Sequence, residues 1–261
     1  MFKLLALDID GTLLKSDGTV CDSTIESLER VKEKIIVTIS TGRPIQGVYK
    51  YIKLLDLKAP IITYNGAMII DSETDNVLYE QQLDRTDAKQ VIDLGVKYDT
   101  TIIIWSCNKL YVNRIDDYVK SYQKLSGEEP IVLDEYEKVY QQGVTKIIWV
   151  NEPTILLRYQ NEIKDQMNNS INYCTSKAHL LEFFDAKVSK AKALEFIGNR
   201  FNILRDEMIA IGDGNNDIEM IDYVGMGVAM SNATDKVKSV ADYITSSNDE
   251  CGIYNALKKW I

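Results

Sequence analysis

The stretch Phe2-Lys3-Leu4-Leu5-Ala6-Leu7-Asp8-Ile9-Asp10-Gly11-Thr12-Leu13-Leu14 begins as a Leu-rich apolar run and ends in two carboxylates and a glycine. Such a run is expected to form a fully buried strand in the middle of a parallel sheet. Strand side chains alternate faces, so Asp8 and Asp10 project to the same side if strand geometry continues. Like charges that close disfavour each other's ionised form unless a cation lies between them. A hard divalent ion such as Mg²⁺, which prefers oxygen ligands, resolves the conflict. In open α/β sheets ligands bind beyond the carboxyl ends of the strands, where this pair lies.

Outward from this stretch the pattern alternates. Ser23 to Lys34 carries Ile25, Leu28 and Val31 at helical spacing, with Ser23 expected as the cap. A second apolar strand, Ile35–Ser40, ends in Thr41-Gly42-Arg43-Pro44, and Pro44 suits the first turn of a helix running to about Leu55. A third strand, Ile61–Tyr64, stops at Asn65-Gly66. This is the rhythm of a doubly wound parallel sheet. It breaks in the middle third, where strands joined by tight turns indicate antiparallel pairing, and it resumes after Ser189. The strand Met208–Ile211 then ends in Gly212-Asp213-Gly214-Asn215-Asn216-Asp217. The expected organisation is a core from residues 1–82 and 186–261, interrupted by an α+β unit over residues 83–185.

Composition narrows the function classes. A hydrophobic content of 45% and a charged content of 26% are ordinary for a globular chain. The formal net charge of −9 argues against nucleic acid or an anionic membrane surface as the main partner. A small anionic substrate stays compatible, because a metal and one or two basic residues reverse the field locally. The four cysteines, Cys21, Cys107, Cys174 and Cys251, show no C-x-x-C spacing and are expected to be reduced thiols. No signal peptide pattern opens the chain and no apolar run approaches a membrane span, so a soluble, cytoplasmic protein is expected.

The ordered set Asp8-Ile9-Asp10-Gly11-Thr12-Leu13-Leu14, Thr41-Gly42-Arg43-Pro44, Asn65-Gly66-Ala67, Val188-Ser189-Lys190-Ala191-Lys192-Ala193-Leu194 and Gly212-Asp213-Gly214-Asn215-Asn216-Asp217 resembles the haloacid-dehalogenase-like (HAD) phosphohydrolases, in particular the Cof-type subgroup with an inserted α/β cap. Val228–Ala233 is similar to a further subgroup stretch. Ala191 departs from the glycine often found after the lysine. The resemblance implies an α/β fold with a Rossmann-like parallel-sheet core and an inserted α+β cap that selects the substrate. It also implies Asp8 as nucleophile, forming an aspartyl-phosphate, and Asp10 as acid and base. Mg²⁺ would be held by Asp8, the Asp10 carbonyl and Asp213. Thr41, the backbone around Ile9 and Gly42, and Asn216 would bind phosphoryl oxygens, and Lys190 would balance charge. Asp217 would orient Lys190 or metal-bound water, while Arg43 would either help bind phosphate or fix the loop through an ion pair. The implied partner is a small phosphorylated metabolite: a sugar phosphate, with pyridoxal phosphate and flavin mononucleotide as further candidates.

Competing motifs fail on their own residues. Asp213, Asn215 and Asp217 mimic the start of a calcium loop, but Ile218 stands where its glycine must be and Val224 where its glutamate must be. Gly42 and Gly47 have phosphate-loop spacing but are followed by Val48-Tyr49 in place of Lys-Ser/Thr. His179, the sole histidine, excludes His-rich metal sites and is expected near a hairpin turn on the surface. Trp105, Tyr111, Trp149, Tyr173, Phe183 and Phe184 are expected in the core of the inserted unit. A phosphotransferase or sugar-phosphate mutase on the same scaffold, and a phosphoaspartate signalling switch, are the alternative functions.

Overall fold

The computed structural model describes Met1–Trp260; Ile261, the last residue of the expected core segment, lies outside the described residues. The first third runs β1 (Leu4–Leu7), α1 (Asp22–Val31), β2 (Ile36–Ile39), α2 (Tyr49–Leu55), β3 (Ile61–Thr63), β4 (Met68–Ile70) and β5 (Val77–Glu80). The middle runs α3 (Arg85–Lys97), β6 (Thr101–Ser106), β7 (Lys109–Val112), α4 (Asp117–Ser126), β8 (Ile131–Val132), α5 (Glu137–Gln142), β9 (Lys146–Val150), α6 (Pro153–Ile163), β10 (Ile171–Lys177) and β11 (Leu180–Asp185). The chain closes with α7 (Lys190–Phe201), β12 (Met208–Gly212), α8 (Ile218–Tyr223), β13 (Met226–Ala229), α9 (Asp235–Val240), β14 (Tyr243–Ile244) and α10 (Gly252–Trp260). These elements form two compact units: Met1–Gly42, Val48–Tyr79 and the chain from Ser189 onward make one, and Arg43–Gly47 with Glu80–Val188 make the other.

The first unit carries the parallel sheet, ordered β14-β13-β12-β1-β2. β1 and β12 are buried throughout, as unbroken apolar strands covered on both faces should be. Helix α7 packs Ala193, Leu194 and Ile197 against Leu4, Ala6 and Ala210. The third expected strand differs from its forecast pairing. Beside β2, the β3 segment makes an isolated parallel bridge, Ser40 to Ile62, and it pairs antiparallel with β4 in a separate three-stranded sheet.

Two helix starts are corrected. Helix α1 is capped at Cys21 rather than at Ser23, which lies inside its first turn. The helix expected from Pro44 is broken: a 3₁₀ turn covers Ile45–Gly47, and α2 begins at Tyr49. Arg43–Gly47 groups with the other unit, and Gln46 Nε2 donates to the Asn108 carbonyl there at 2.7 Å, so tertiary contacts override continuous helix propensity. The expectation of four reduced thiols is also corrected, because Cys21 and Cys251 are disulfide-bonded, leaving Cys107 and Cys174 free. Spacing rules do not detect two cysteines 230 residues apart that the fold brings to a Cα–Cα distance of 5.7 Å.

The second unit is built on a six-stranded sheet, β10-β11-β9-β6-β7-β8, antiparallel except between β7 and β8. The β6–β7 turn places Cys107 and Asn108 at φ +50° and +57°, the left-handed pair that a two-residue hairpin requires. Asp84 and Asp116 cap α3 and α4 through their side chains, and Pro153 opens α6. Trp149 and Phe183 pack with ring centroids 4.6 Å apart in the core between this sheet and its helices. Trp105 and Phe184 are also buried, and Tyr111 and Tyr173 pack at the core's edge. An ion pair that no sequence pattern announces lies in this sheet: Lys146 Nζ is 3.0 Å from Glu182 Oε2, both buried.

Candidate active site

Asp8 follows the last residue of β1 and is 5% exposed. Its backbone N–H donates to the Ile211 carbonyl of β12 at 3.0 Å, so the ends of two neighbouring parallel strands are tied where their acids emerge. Lys190 is the first residue of α7, capped by the Ser189 hydroxyl, and its side chain is buried. Its Nζ donates to Asp8 Oδ1 at 2.6 Å and to Asp217 Oδ1 at 2.5 Å. The other oxygen of Asp217 accepts the backbone N–H groups of Asp213 and Gly214 at 3.0 and 2.9 Å. Asp217 thus fixes both the lysine and the turn that presents Asp213. Thr12 Oγ1 donates to Asp213 Oδ1 at 2.8 Å, linking that turn back to the loop after β1. Gly11, at φ +86°, makes this approach possible, since a Cβ there would lie 2.2 Å from Asp213 Oδ2.

The electrostatics follow from this crowding. Burial, reinforced by the Asp217 and Asp213 charges and opposed by Lys190, holds the Asp8 carboxyl well above the usual carboxylate range. Asp213 is pushed up to about 6, chiefly by burial, which outweighs the hydrogen bond from Thr12. Burial opposes the charged form of Lys190, but the Asp217 and Asp8 carboxylates outweigh it and keep the ammonium above its ordinary value. Carboxylate oxygens of Asp8, Asp213 and Asp217 lie within 4.8 Å of one another. Hard oxygen donors held together against their own repulsion fit a divalent cation such as Mg²⁺. Asp217 already spends both oxygens on Lys190 and backbone N–H groups, which leaves Asp8 and Asp213 as the side chains available to the ion.

A second group assembles around Thr41, at the end of β2. The Thr41 N–H donates to the Ile62 carbonyl at 3.0 Å, and its own carbonyl accepts from Asn65 N–H at 2.9 Å. Asn216 Nδ2 donates to Asn65 Oδ1 at 2.9 Å, and a Cβ on Gly42 would lie 2.8 Å from the same oxygen. Asn65 therefore connects the Thr41 and Asn216 loops from a left-handed backbone conformation at φ +60°. Asp10 is exposed beyond Asp8, with Ile9 buried between them, and its charge helps raise Asp213. Arg43 belongs to the second unit, where its Nη1 donates to the Gly47 carbonyl at 3.4 Å. His179 also lies in the second unit, its ring stacked near Tyr118 at 6.4 Å between centroids.

Thr12, Asn65 and Asn232 have no role in the sequence reading, although each lies within a stretch quoted there. Asn232 Nδ2 donates to the Gly11 carbonyl at 2.8 Å and lies 3.5 Å from Asp213 Oδ2. Their partners are 19 to 221 residues away, so their membership of the motif stretches was the one available signal.

A buried carboxyl group at a strand end, a buried lysine on it and a neighbouring acid that could share a cation with it are the groups that phosphoryl-transfer chemistry asks for. Residues 5–257 match the family model of the haloacid dehalogenase-like hydrolases, and the chain belongs to that family. It is 29% identical to 5-amino-6-(5-phospho-D-ribitylamino)uracil phosphatase YitU of Bacillus subtilis (strain 168), over 98% of this chain and 97% of that one. The crystal structure of a haloacid dehalogenase-like hydrolase from Bacteroides thetaiotaomicron superposes with a TM-score of 0.90 at 29% identity, covering 100% of both chains. The HAD subclass IIB sugar phosphatase BT4131 superposes with a TM-score of 0.84 at 25% identity, over 99% of this chain and 98% of the other. Among the described residues no helix is long and apolar enough to cross a membrane.

Proposed function

We propose that the chain is a Mg²⁺-dependent phosphomonoesterase that acts on small phosphate esters through transient phosphorylation of Asp8. The observation that carries this is the buried Lys190 ammonium shared by Asp8 and Asp217 beside Asp213. The Asp8 carboxylate attacks phosphorus, and Asp10, exposed two residues on, protonates the leaving alkoxide. Asp10 then takes a proton from the water that hydrolyses the acyl-phosphate. The Thr41 hydroxyl, the Asn216 amide and the backbone around Ile9 and Gly42 bind the transferring oxygens, while Lys190 offsets charge accumulating on Asp8 and the phosphoryl group. Asp8, the Asp10 backbone carbonyl and Asp213 would hold Mg²⁺, which would supply the positive charge that lets one anion approach another. Asp217 positions Lys190 and the Asp213 turn.

Sugar phosphates are the proposed substrate class, selected by the inserted unit. YitU and BT4131 support this: one is named for a phosphoribityl compound, the other as a sugar phosphatase. The test is phosphate release from sugar phosphates, phosphoribityl compounds, pyridoxal phosphate and flavin mononucleotide, with Mg²⁺, with chelator and with Asp8→Asn. Release that needs Mg²⁺ and vanishes in the isosteric amide is the expected result. Appreciable turnover by Asp8→Asn refutes the covalent route. Label moving between two sugar phosphates without loss to free phosphate replaces hydrolysis with a mutase or phosphotransferase.

A further inference from the structure

We propose that Cys21 and Cys251 form a reversible redox-modification site, a staple between the loop that follows the catalytic carboxylates and the segment that opens the C-terminal helix. Cys21 is the N-cap of α1, and Cys251 directly precedes α10. The seam they bridge is already hydrogen-bonded. Ser16 donates to Asp249 through its backbone N–H at 2.8 Å and its hydroxyl at 2.7 Å, and Asn248 Nδ2 donates to the Leu14 carbonyl at 2.8 Å. The Asn248 N–H donates to Asn232 Oδ1 at 3.1 Å, and Asn232 in turn holds the Gly11 carbonyl beside Asp213. The staple is thus joined by short contacts to the rim of the acid cluster.

Three features make it a switch in place of a fixed part of the fold. First, the Ser16, Asn248 and Asn232 contacts bring the two segments together without the bond, so opening it leaves the fold and the acid cluster in place. Second, both cysteines are only half-buried, within reach of a small thiol. Third, Cys251 occupies a left-handed conformation at φ +57°, a position that favours glycine or asparagine, and the bond to Cys21 gives the residue a reason to be there.

The reaction balances with a dithiol as reductant. One thiolate attacks the Cys251 sulfur and expels Cys21 as a thiolate, whose sulfur lies 3.1 Å from the Ser23 hydroxyl. The second thiol of the reductant then displaces Cys251. Two electrons pass from the dithiol, which leaves as a cyclic disulfide, and each freed cysteine gains a proton. A low-molecular-weight disulfide reverses the exchange.

The test uses the full chain and needs no substrate, so its failure is distinguishable from failure of the phosphatase proposal. Protein equilibrated with glutathione disulfide or with dithiothreitol is alkylated in denaturant and digested without reduction. A Cys21–Cys251 cross-linked peptide, with Cys107 and Cys174 alkylated or carrying glutathione, is expected in the first case and four alkylated cysteines in the second. The oxidised protein should melt at least about 5 °C higher, given the long loop closed. Amide exchange should slow at residues 11–20 and 246–252. The Cys21→Ser/Cys251→Ser double variant should show the lower melting temperature in both buffers. Absence of the cross-link after oxidation, a melting gap under about 1 °C, or a gap that survives in the double variant overturns the proposal.

Discussion

Replacing Lys190 by Met removes the one charge that makes the acid cluster tenable, while an unbranched apolar chain of similar length refills the space. The ammonium lies 2.6 Å from Asp8 and 2.5 Å from Asp217, with all three groups buried. At an effective dielectric constant of about 20, each contact is worth roughly 6 kcal/mol of gross attraction. Desolvation offsets much of this, and breaking a buried pair costs about 3–5 kcal/mol net. That cost must depend on pH. Between pH 5 and 8 Lys190 is charged in both the folded and unfolded states, so wild type gains no slope from it. Without the ammonium, Asp8 loses the one influence that draws its raised carboxyl back down, and the folded variant binds protons that the unfolded chain releases. Its stability therefore falls as pH rises.

Urea unfolding in chelator should give a loss of about 3–5 kcal/mol at pH 8 and roughly half that at pH 5. Turnover in Mg²⁺ should fall on the order of 10²-fold or more, as when an oxyanion donor is removed. Equal losses at the two pH values, or a loss under about 1 kcal/mol at pH 8, would refute the assigned electrostatic role.

Three further outcomes follow from the same geometry. Asp213, pushed up to about 6, holds a proton in the metal-free fold that the unfolded chain has already lost, so metal-free stability declines as pH rises from about 4 to 6. Mg²⁺ should consequently raise the melting temperature at least about twice as much at pH 7.5 as at pH 5, and an equal rise at both would contradict that assignment. Gly11→Ala puts a Cβ 2.2 Å from Asp213 Oδ2 at φ +86°, which should cost about 1 kcal/mol and weaken Mg²⁺ about tenfold by calorimetry; unchanged affinity would show the approach is not needed. In the second unit, Lys146→Met should cost about 3–5 kcal/mol in urea, and Lys146→Met/Glu182→Leu should recover most of it. A double variant no more stable than the single one would mean that the pair does more than balance its own charges.

The parallel core was legible because its signal is local: unbroken apolar runs, each ending in an acid, a threonine or a glycine, mark buried strands whose ends face one edge. Asp8, Thr41 and Asp213 could be named on that ground, and Lys190 through the ordered motif set. The rest depends on contacts with no local trace. Cys21 and Cys251 carry no spacing signal, and Lys146 and Glu182 look like the polar positions of two half-exposed strands. The break after Gly47 was hidden because Arg43–Gly47 packs with residues far along the chain, not with the helix it precedes. Asn65 sat in plain view but took its meaning from Asn216, 151 residues away.

The placement of Lys190 shows how the fold and the site depend on each other. A lysine at the first position of a helix lies at the positive end of the helix dipole, where a cation is disfavoured, and burial adds a second penalty. Neither is relieved by water. Asp8 and Asp217 outweigh both, and the ammonium in turn draws the raised Asp8 carboxyl part of the way back down. Asp217 then uses its remaining oxygen to hold the turn that carries Asp213, so the charge balance of the proposed nucleophile and the shape of the proposed cation site share one residue. The arrangement is assembled from the end of β1, the start of α7 and the turn after β12, which are brought together by the parallel sheet. An isolated Asp-x-Asp or a lone lysine carries none of this chemistry, because the buried ammonium is held charged by carboxyl groups that the other two segments supply.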